Sequence, residues 1–222
     1  SYEEAARDPD VDIVYIGTPG VFHLRDAGMC LTAGKHVLCE KTLTMNAREA
    51  RELIALAREH ERFLMEAMWT RFFPIHARVR ELLVQNAIGR VNGMNVQFVA
   101  QAPFDLENRF FDIQLGAGVL LDTAVYGVSL ASSLFGAPEA VTGLATFGET
   151  GADYQAALVL RYTQGQLVNL ISSQVSYDAK DTVIFGTEGK IEIHAPWYKS
   201  TAMTLHRRGQ GPERIDMPLD GF

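Results

Sequence analysis

Asp122 and Tyr126 stand four residues apart inside the run Gly116-Ala117-Gly118-Val119-Leu120-Leu121-Asp122-Thr123-Ala124-Val125-Tyr126-Gly127-Val128. The run continues without a breaker to Phe135-Gly136 and reads as a helix, on which that spacing puts the carboxylate and the phenol on one face. Both are proton-transfer groups, so this face is the first candidate for chemistry. The competing reading is a buried tyrosine with a satisfied hydroxyl and an aspartate at a helix start. The elements that position the pair have to decide between them.

Upstream, the pattern is strand, loop, helix, repeated. Tyr2 to Asp8 reads as a short helix that Pro9-Asp10 breaks before the strand Asp12 to Ile16. Gly17-Thr18-Pro19 ends that strand, and Leu24, Ala27 and Leu31 recur at helical spacing until Gly34 supplies a C-cap. His36 to Cys39 is the next strand and ends at Glu40-Lys41-Thr42. Asn46 with Glu49 forms a capping box, and Ala50, Leu53, Ile54 and Ala57 make one apolar stripe. Phe63-Leu64-Met65 is a third strand. This alternation predicts a parallel sheet with right-handed crossovers. Ligands sit beyond the carboxyl ends of such strands, here Thr18-Pro19, Glu40-Lys41 and Glu66 to Trp69.

From Pro74 the pattern changes. Ile75, Val79, Leu82 and Leu83 predict a helix ending near Ile88-Gly89, and Val91 to Gln101 alternates as a strand. Beyond the Asp122/Tyr126 helix, strands are predicted at 140–147, 156–162, 167–175, 182–185, 190–194 and 203–207, with turns at Gln164-Gly165 and Glu188-Gly189. The fold class is therefore α/β: a partial Rossmann-type parallel sheet over residues 1–73, then an α+β domain with a large, mostly antiparallel sheet over 74–222. Helices can cover only one face of that sheet. The other is expected to be an apolar dimer surface, with Leu158, Leu160, Leu167 and Leu170 as its alternation, or an ordinary half-solvated face.

Lys+Arg 20 against Asp+Glu 27 gives a net charge of −7 without long single-sign blocks, which argues against a nucleic-acid surface and for a small-molecule partner. Cys30 and Cys39 are the only cysteines and have no metal-ligand spacing; they read as free thiols in a reducing, cytoplasmic setting. No apolar run is expected to approach the roughly 20 residues of a membrane span. The six histidines never fall into H-x-x-x-H or H-E-x-x-H spacing, so no metal site is predicted, and no G-x-S-x-G elbow occurs. No G-x-G-x-x-G follows a strand, three parallel strands are few for a dinucleotide-binding domain, and the first residue is Ser. The expectation is an internal fragment of a longer chain, with Pro218 to Phe222 lacking a terminal helix.

Gly17-Thr18-Pro19-Gly20-Val21-Phe22-His23, then Glu40-Lys41-Thr42, then Gly118 to Tyr126 resemble the Gfo/Idh/MocA oxidoreductases. Met65 to Pro74 together with Leu120 to Tyr126 is similar to the dihydrodiol dehydrogenase branch of that family. The likeness spans essentially the whole chain, with Thr42 standing where proline is usual. It implies a Rossmann domain joined to a mostly antiparallel domain, and NADP or NAD as cofactor, with NADP slightly preferred. By the same likeness Lys41 lies beside the nicotinamide and the substrate hydroxyl, Tyr126 is the general acid/base and Asp122 orients the site. Thr18, Pro19 and Glu40 line the cofactor, and His23, Trp69 and Arg71 line the cofactor and substrate pocket. A free phenol, with a pKa of about 10, is poorly matched to neutral pH, and a neighbouring ammonium favours the phenolate and a developing alkoxide alike.

The resemblance thus implies hydride transfer between nicotinamide and the secondary alcohol or ketone of a cyclic diol, sugar or polyol, by a homodimer built on the antiparallel sheet. The alternative is a truncated or degenerate member acting as a non-catalytic binding or assembly module. Taken singly, Lys41 reads as a solvated strand cap, His23 as a surface histidine and Trp69 as core; their order and shared strand-end placement favour the enzyme.

Overall fold

The computed structural model describes residues 1–106 and 108–218. The terminal reading thus falls partly on Leu219 to Phe222, outside the described residues. Two compact units are present: Ser1–Met68 with Asp105–Ala117, and Trp69–Phe104 with the chain from Gly118 onward.

The first unit contains α1 (Tyr2–Arg7), β1 (Ile13–Ile16), α2 (His23–Thr32), β2 (His36–Cys39), α3 (Ala47–Glu59) and β3 (Leu64–Glu66). The three strands pair in the order β1-β2-β3, all parallel, as the alternating pattern predicts. Ile16, Ala27, Leu31, Val37, Cys39 and Leu53 form the core beneath the helices. The α3 start is capped as expected at Asn46, whose side chain accepts the Glu49 N–H at 3.0 Å. The return bond differs from a regular capping box, because the Glu49 carboxylate takes the Met45 N–H at 3.2 Å. Cys39 is an inert thiol: burial pushes it up to about 12.

The second unit holds α4 (Pro74–Val84), β4 (Val91–Gln101), α5 (Val125–Phe135) and β5 (Ala140–Phe147) to β7, with β6 at Asp153–Arg161 and β7 at Leu167–Ser173. It continues with β8 (Val175–Ala179), β9 (Thr182–Gly186), β10 (Gly189–Ile193), β11 (Ala202–Arg207) and β12 (Glu213–Asp216). The strands make one sheet ordered β12-β11-β10-β9-β4-β7-β6-β5, with β8 also on β4. Consecutive hairpins account for most of it, but β4 and β7 run parallel, so the centre of the sheet is a long-range pair. β8 and β12 are absent from the sequence reading; their segments, VSYDA and ERID, carry too few apolar residues to announce a strand.

Period-two alternation sorts the sheet into two faces. Met94, Val96, Val168, Leu170, Ile184, Ile191, Met203 and Leu205 are all buried. Gly127 brings α5 down on this face, since a Cβ there would lie 2.3 Å from Leu170 Cδ1. Leu160 and Leu170 therefore belong to the core, contrary to their expected place on the open face. That face is carried by Leu144, Val159, Leu167 and Ile171, which are 84, 37, 46 and 44% exposed.

His76, on α4, lies edge-on to Trp197 at 6.0 Å, and neither ring nitrogen has a hydrogen-bond partner. Burial, helped by the Arg80 charge, pulls its pKa down to about 4. The folded state therefore holds the ring neutral while the unfolded chain takes up a proton below its ordinary value. Stability should fall as pH drops from about 6.5 toward 4, by roughly 2 kcal/mol at about pH 5. Denaturant unfolding at neutral and mildly acidic pH should show this loss in the parent and not in His76→Phe.

The stretch Ile113–Phe135 corrects one expectation: with mean hydropathy 1.4 it is long and apolar enough to cross a membrane by length and composition alone. It is not one regular helix. A 3-10 turn over Ile113–Leu115 ends at Gly116 in the left-handed region, and a π-helical turn over Leu120–Ala124 precedes α5.

Candidate active site

In the first unit the predicted residues gather in the loops beyond β1 and β2. Thr18 donates its hydroxyl to Asp26 Oδ2 at 2.9 Å, and Asp26 Oδ1 accepts from Arg25 Nε at 2.6 Å. Pro19 is exposed and precedes a 3-10 turn, Gly20–Phe22, that leads into α2. His23 is wholly buried, and its ring nitrogens reach the carbonyls of Thr18 at 2.6 Å and Thr42 at 2.7 Å. It ties the β1 loop to the β2 loop from beneath. Glu40 accepts from the Tyr15 hydroxyl at 2.6 Å through one oxygen and from the Lys41 amide at 3.0 Å through the other. That bond to Glu40 raises the Tyr15 phenol above its ordinary pKa. Lys41 is half-buried, and the Lys41-Thr42 peptide is cis. Glu66, at the end of β3, accepts the Leu43 N–H at 2.9 Å, so the carboxyl ends of β2 and β3 are linked by side chain as well as by register.

In the second unit Tyr126 is 8% exposed, and its hydroxyl oxygen accepts the Trp69 indole N–H at 3.2 Å. The ring lies beside Phe98 at 5.8 Å and Tyr198 at 6.2 Å, near parallel to both; Phe98 and Tyr198 stack on one another at 4.5 Å. Trp69 closes the group edge-on at 5.8 Å from Tyr126. An N–H aimed at a phenol oxygen binds the phenolate more strongly than the phenol. Trp69 is thus a hydrogen-bond partner of Tyr126 as well as a packing residue. Arg71 is drawn to α5: its Nε donates to Ser129 Oγ at 2.8 Å and its Nη2 to the Ser129 carbonyl at 3.2 Å.

Asp122 is half-buried on the π turn, and its amide donates to the Gly118 carbonyl at 3.1 Å. The four-residue spacing to Tyr126 is therefore traversed by a π turn and the first α turn rather than by a uniform helix. Thr123 has a local reason to distort the turn, because its hydroxyl reaches back to the Val119 carbonyl at 3.2 Å. It also meets Ser172 Oγ at 2.5 Å, and Ser172 donates to the Phe98 carbonyl at 3.1 Å. π turns of this kind occur frequently at functional sites. Among the described residues no group of three or more His, Cys, Asp or Glu is placed to hold a metal ion.

Phe98, Ser129, Ser172 and Tyr198 were not singled out in the sequence. The signal available was faint: Phe98 and Ser172 are inward positions on strands, and Tyr198 lies on a 3-10 turn, Trp197–Lys199, that follows a proline.

Comparison with known proteins agrees with the fold described above. The model of the oxidoreductase family, NAD-binding Rossmann fold, matches residues 1–68, and that of the GFO/IDH/MocA C-terminal domain matches residues 76–192. The chain is 39% identical over 220 residues to a trans-1,2-dihydrobenzene-1,2-diol dehydrogenase from Xenopus laevis, covering 98% of this chain and 65% of that protein. The corresponding enzyme from Mus musculus is 38% identical over 219 residues, with 97 and 65% coverage. The chain thus spans about 65% of the length of these relatives. Among solved structures, a 3-ketoreductase from Actinomadura kijaniata in complex with NADP and TDP-benzene superposes with a TM-score of 0.89 at 25% identity, covering 98% of this chain and 68% of that one. An aldose-aldose oxidoreductase from Caulobacter crescentus complexed with glycerol has the same fold, with a TM-score of 0.89 at 24% identity and coverage of 100 and 68%. With a family model spanning more than half of its length, the chain belongs to the GFO/IDH/MocA family.

Proposed function

We propose that this chain carries residues of an NAD(P)-dependent oxidoreductase that transfers hydride between nicotinamide and the secondary alcohol or ketone of a cyclic diol, sugar or polyol. The observation that carries this reading is the setting of Tyr126, a buried phenol whose oxygen receives an indole N–H inside an aromatic enclosure. The 38–39% identity to dihydrodiol dehydrogenases supports the same substrate class. Residues 1–73 are assigned to nucleotide binding and 74–222 to substrate binding and dimerisation.

The β1 and β2 loops suit the nicotinamide end of a dinucleotide. They combine the exposed Pro19 ring with a carboxylate, Glu40, whose two oxygens are already fixed, and they stand at the carboxyl ends of parallel strands. Thr18, Pro19, Glu40 and Lys41 are the residues proposed to hold it, with His23 bracing their loops from below. When bound, the nicotinamide supplies the hydride acceptor or donor. NADP is preferred to NAD. Lys41 is assigned the charge that develops on the substrate oxygen, and Tyr126 the hydroxyl proton. Trp69 holds the Tyr126 oxygen in orientation and favours its ionised form; Asp122 orients the same turn. Removing the indole N–H while keeping the aromatic face, by Trp69→Phe, should lower kcat by about tenfold, the worth of one hydrogen bond, without changing cofactor affinity.

The active form is proposed to be a cytoplasmic homodimer formed by the open face of the large sheet, where Leu144, Val159, Leu167 and Ile171 are exposed. Two buried, unbridged cysteines fit that reducing compartment. Leu144→Asp together with Ile171→Asp should convert the dimer to a monomer in sedimentation.

Fluorescence titration of NADPH and NADH into the protein tests the cofactor assignment. Saturable quenching of Trp69, tighter with NADPH, is the expected result; no binding to protein shown to be folded would overturn it.

A further inference from the structure

A carboxylate remote in sequence from every predicted site residue holds the turn that presents Asp122 and Tyr126. Asp153 is the first residue of β6, and its Oδ2 accepts the N–H of Leu120 at 2.7 Å, the first residue of the π turn. A helix start leaves its first amides without intrahelical acceptors, and this one has no side-chain cap from its own N-cap residue, Val119. The approach is made possible by Gly118, at φ 136°: a Cβ there would lie 2.0 Å from Asp153 Oδ1. The glycine is needed twice, for its backbone angle and for the space the carboxylate fills. Burial raises the Asp153 carboxyl above its ordinary pKa, while the Leu120 amide and its own amide pull the other way.

We propose that Asp153 is a positioning residue: its carboxylate caps the π turn from the neighbouring sheet and thereby fixes where Asp122 and Tyr126 point. The assignment rests on the proposed role of Tyr126. The cap acts in concert with two other bonds: Thr123 to Ser172, which ties the turn to the sheet, and Arg71 to Ser129, which ties α5 to the 3-10 turn of residues 69–72. Of the three, it is the one at the turn's first residue, where fraying begins.

The experiment compares Asp153→Asn and Asp153→Ala with the parent in the intact protein, by amide hydrogen exchange over residues 118–126 and by steady-state kinetics. Asn keeps an acceptor oxygen in the same place, whereas Ala removes it. Exchange over Leu120 to Ala124 should accelerate about tenfold or more in Asp153→Ala and stay near the parent in Asp153→Asn, the loss of one cap. Turnover should fall about tenfold in Ala and recover in Asn, with KM for the nicotinamide cofactor unchanged. Unchanged exchange in Ala would overturn the cap, and accelerated exchange with unchanged kcat would overturn the positioning role. If Ala fails to fold, loss of both exchange protection and turnover in folded Asp153→Asn would overturn the proposal, and parent-like behaviour with parent-like melting would support it. A parent inactive on every diol, sugar and ketone tested would refute the functional reading, while the exchange data would still decide the cap.

Discussion

Tyr126→Phe should lower kcat by roughly 10²–10⁴ while NADPH binding stays within about twofold of the parent. The substitution removes one oxygen from a residue only 8% exposed and keeps the ring, so the stacking with Phe98 and Tyr198 persists. What is lost is the group assigned to take or give the hydroxyl proton, together with the acceptor of the Trp69 N–H. The half-buried indole N–H then loses this acceptor, and a stability cost of about 1 kcal/mol should accompany the kinetic loss. Thermal unfolding alongside single-turnover kinetics separates the two effects. Retained turnover would remove Tyr126 from the chemistry and leave the aromatic group as packing.

Lys41→Met should be nearly as damaging, lowering kcat/KM by roughly 10²–10³, because a preorganised cation facing developing negative charge is worth far more in the transition state than in the ground state. Met retains the length and the apolar stem. The backbone amide of Lys41 still donates to Glu40, so the loop end need not move. Lys41→Arg keeps the charge but spreads it over a planar fork and should restore only part of the loss. Measured across pH, the Met variant should also lose activity more steeply toward neutral pH than the parent, since of the groups assigned to favour the ionised phenol only the Trp69 N–H then remains. A Met variant with parental kcat/KM would assign the ammonium to the surface.

Much of this was legible in the sequence, because the signals were local. The three parallel strands and their helices follow from apolar runs separated by Gly17, Gly34 and the Asn46/Glu49 start, all of which the structure uses. The β4 limits fall where alternation begins and ends. What was not legible depends on partners far away in the chain. A continuous helix through Asp122 and Tyr126 is the natural reading of an unbroken apolar run. Gly118 takes φ 136° beside Asp153, 35 residues on, and Thr123 bonds both Val119 and Ser172. No window around residue 120 contains Asp153 or Ser172. The parallel pairing of β4 with β7 has the same origin, since hairpin turns advertise neighbours and a central long-range pair advertises nothing. His23 illustrates a third kind of failure. Its type suggests a surface or a site, yet its ring nitrogens lie against two carbonyls from different loops and it is wholly buried.

Hydride transfer itself can be followed by isotope tracing. The intact protein would be incubated with NADPH deuterated at its transferable position and a panel of cyclic ketones and ketosugars, and the alcohol products examined by mass spectrometry. One deuterium on the new carbinol carbon is expected, formed by the parent and lost in Tyr126→Phe. NADPH bound without label transfer to any ketone, and with no reverse reaction on dihydrodiols or sugars, would contradict it.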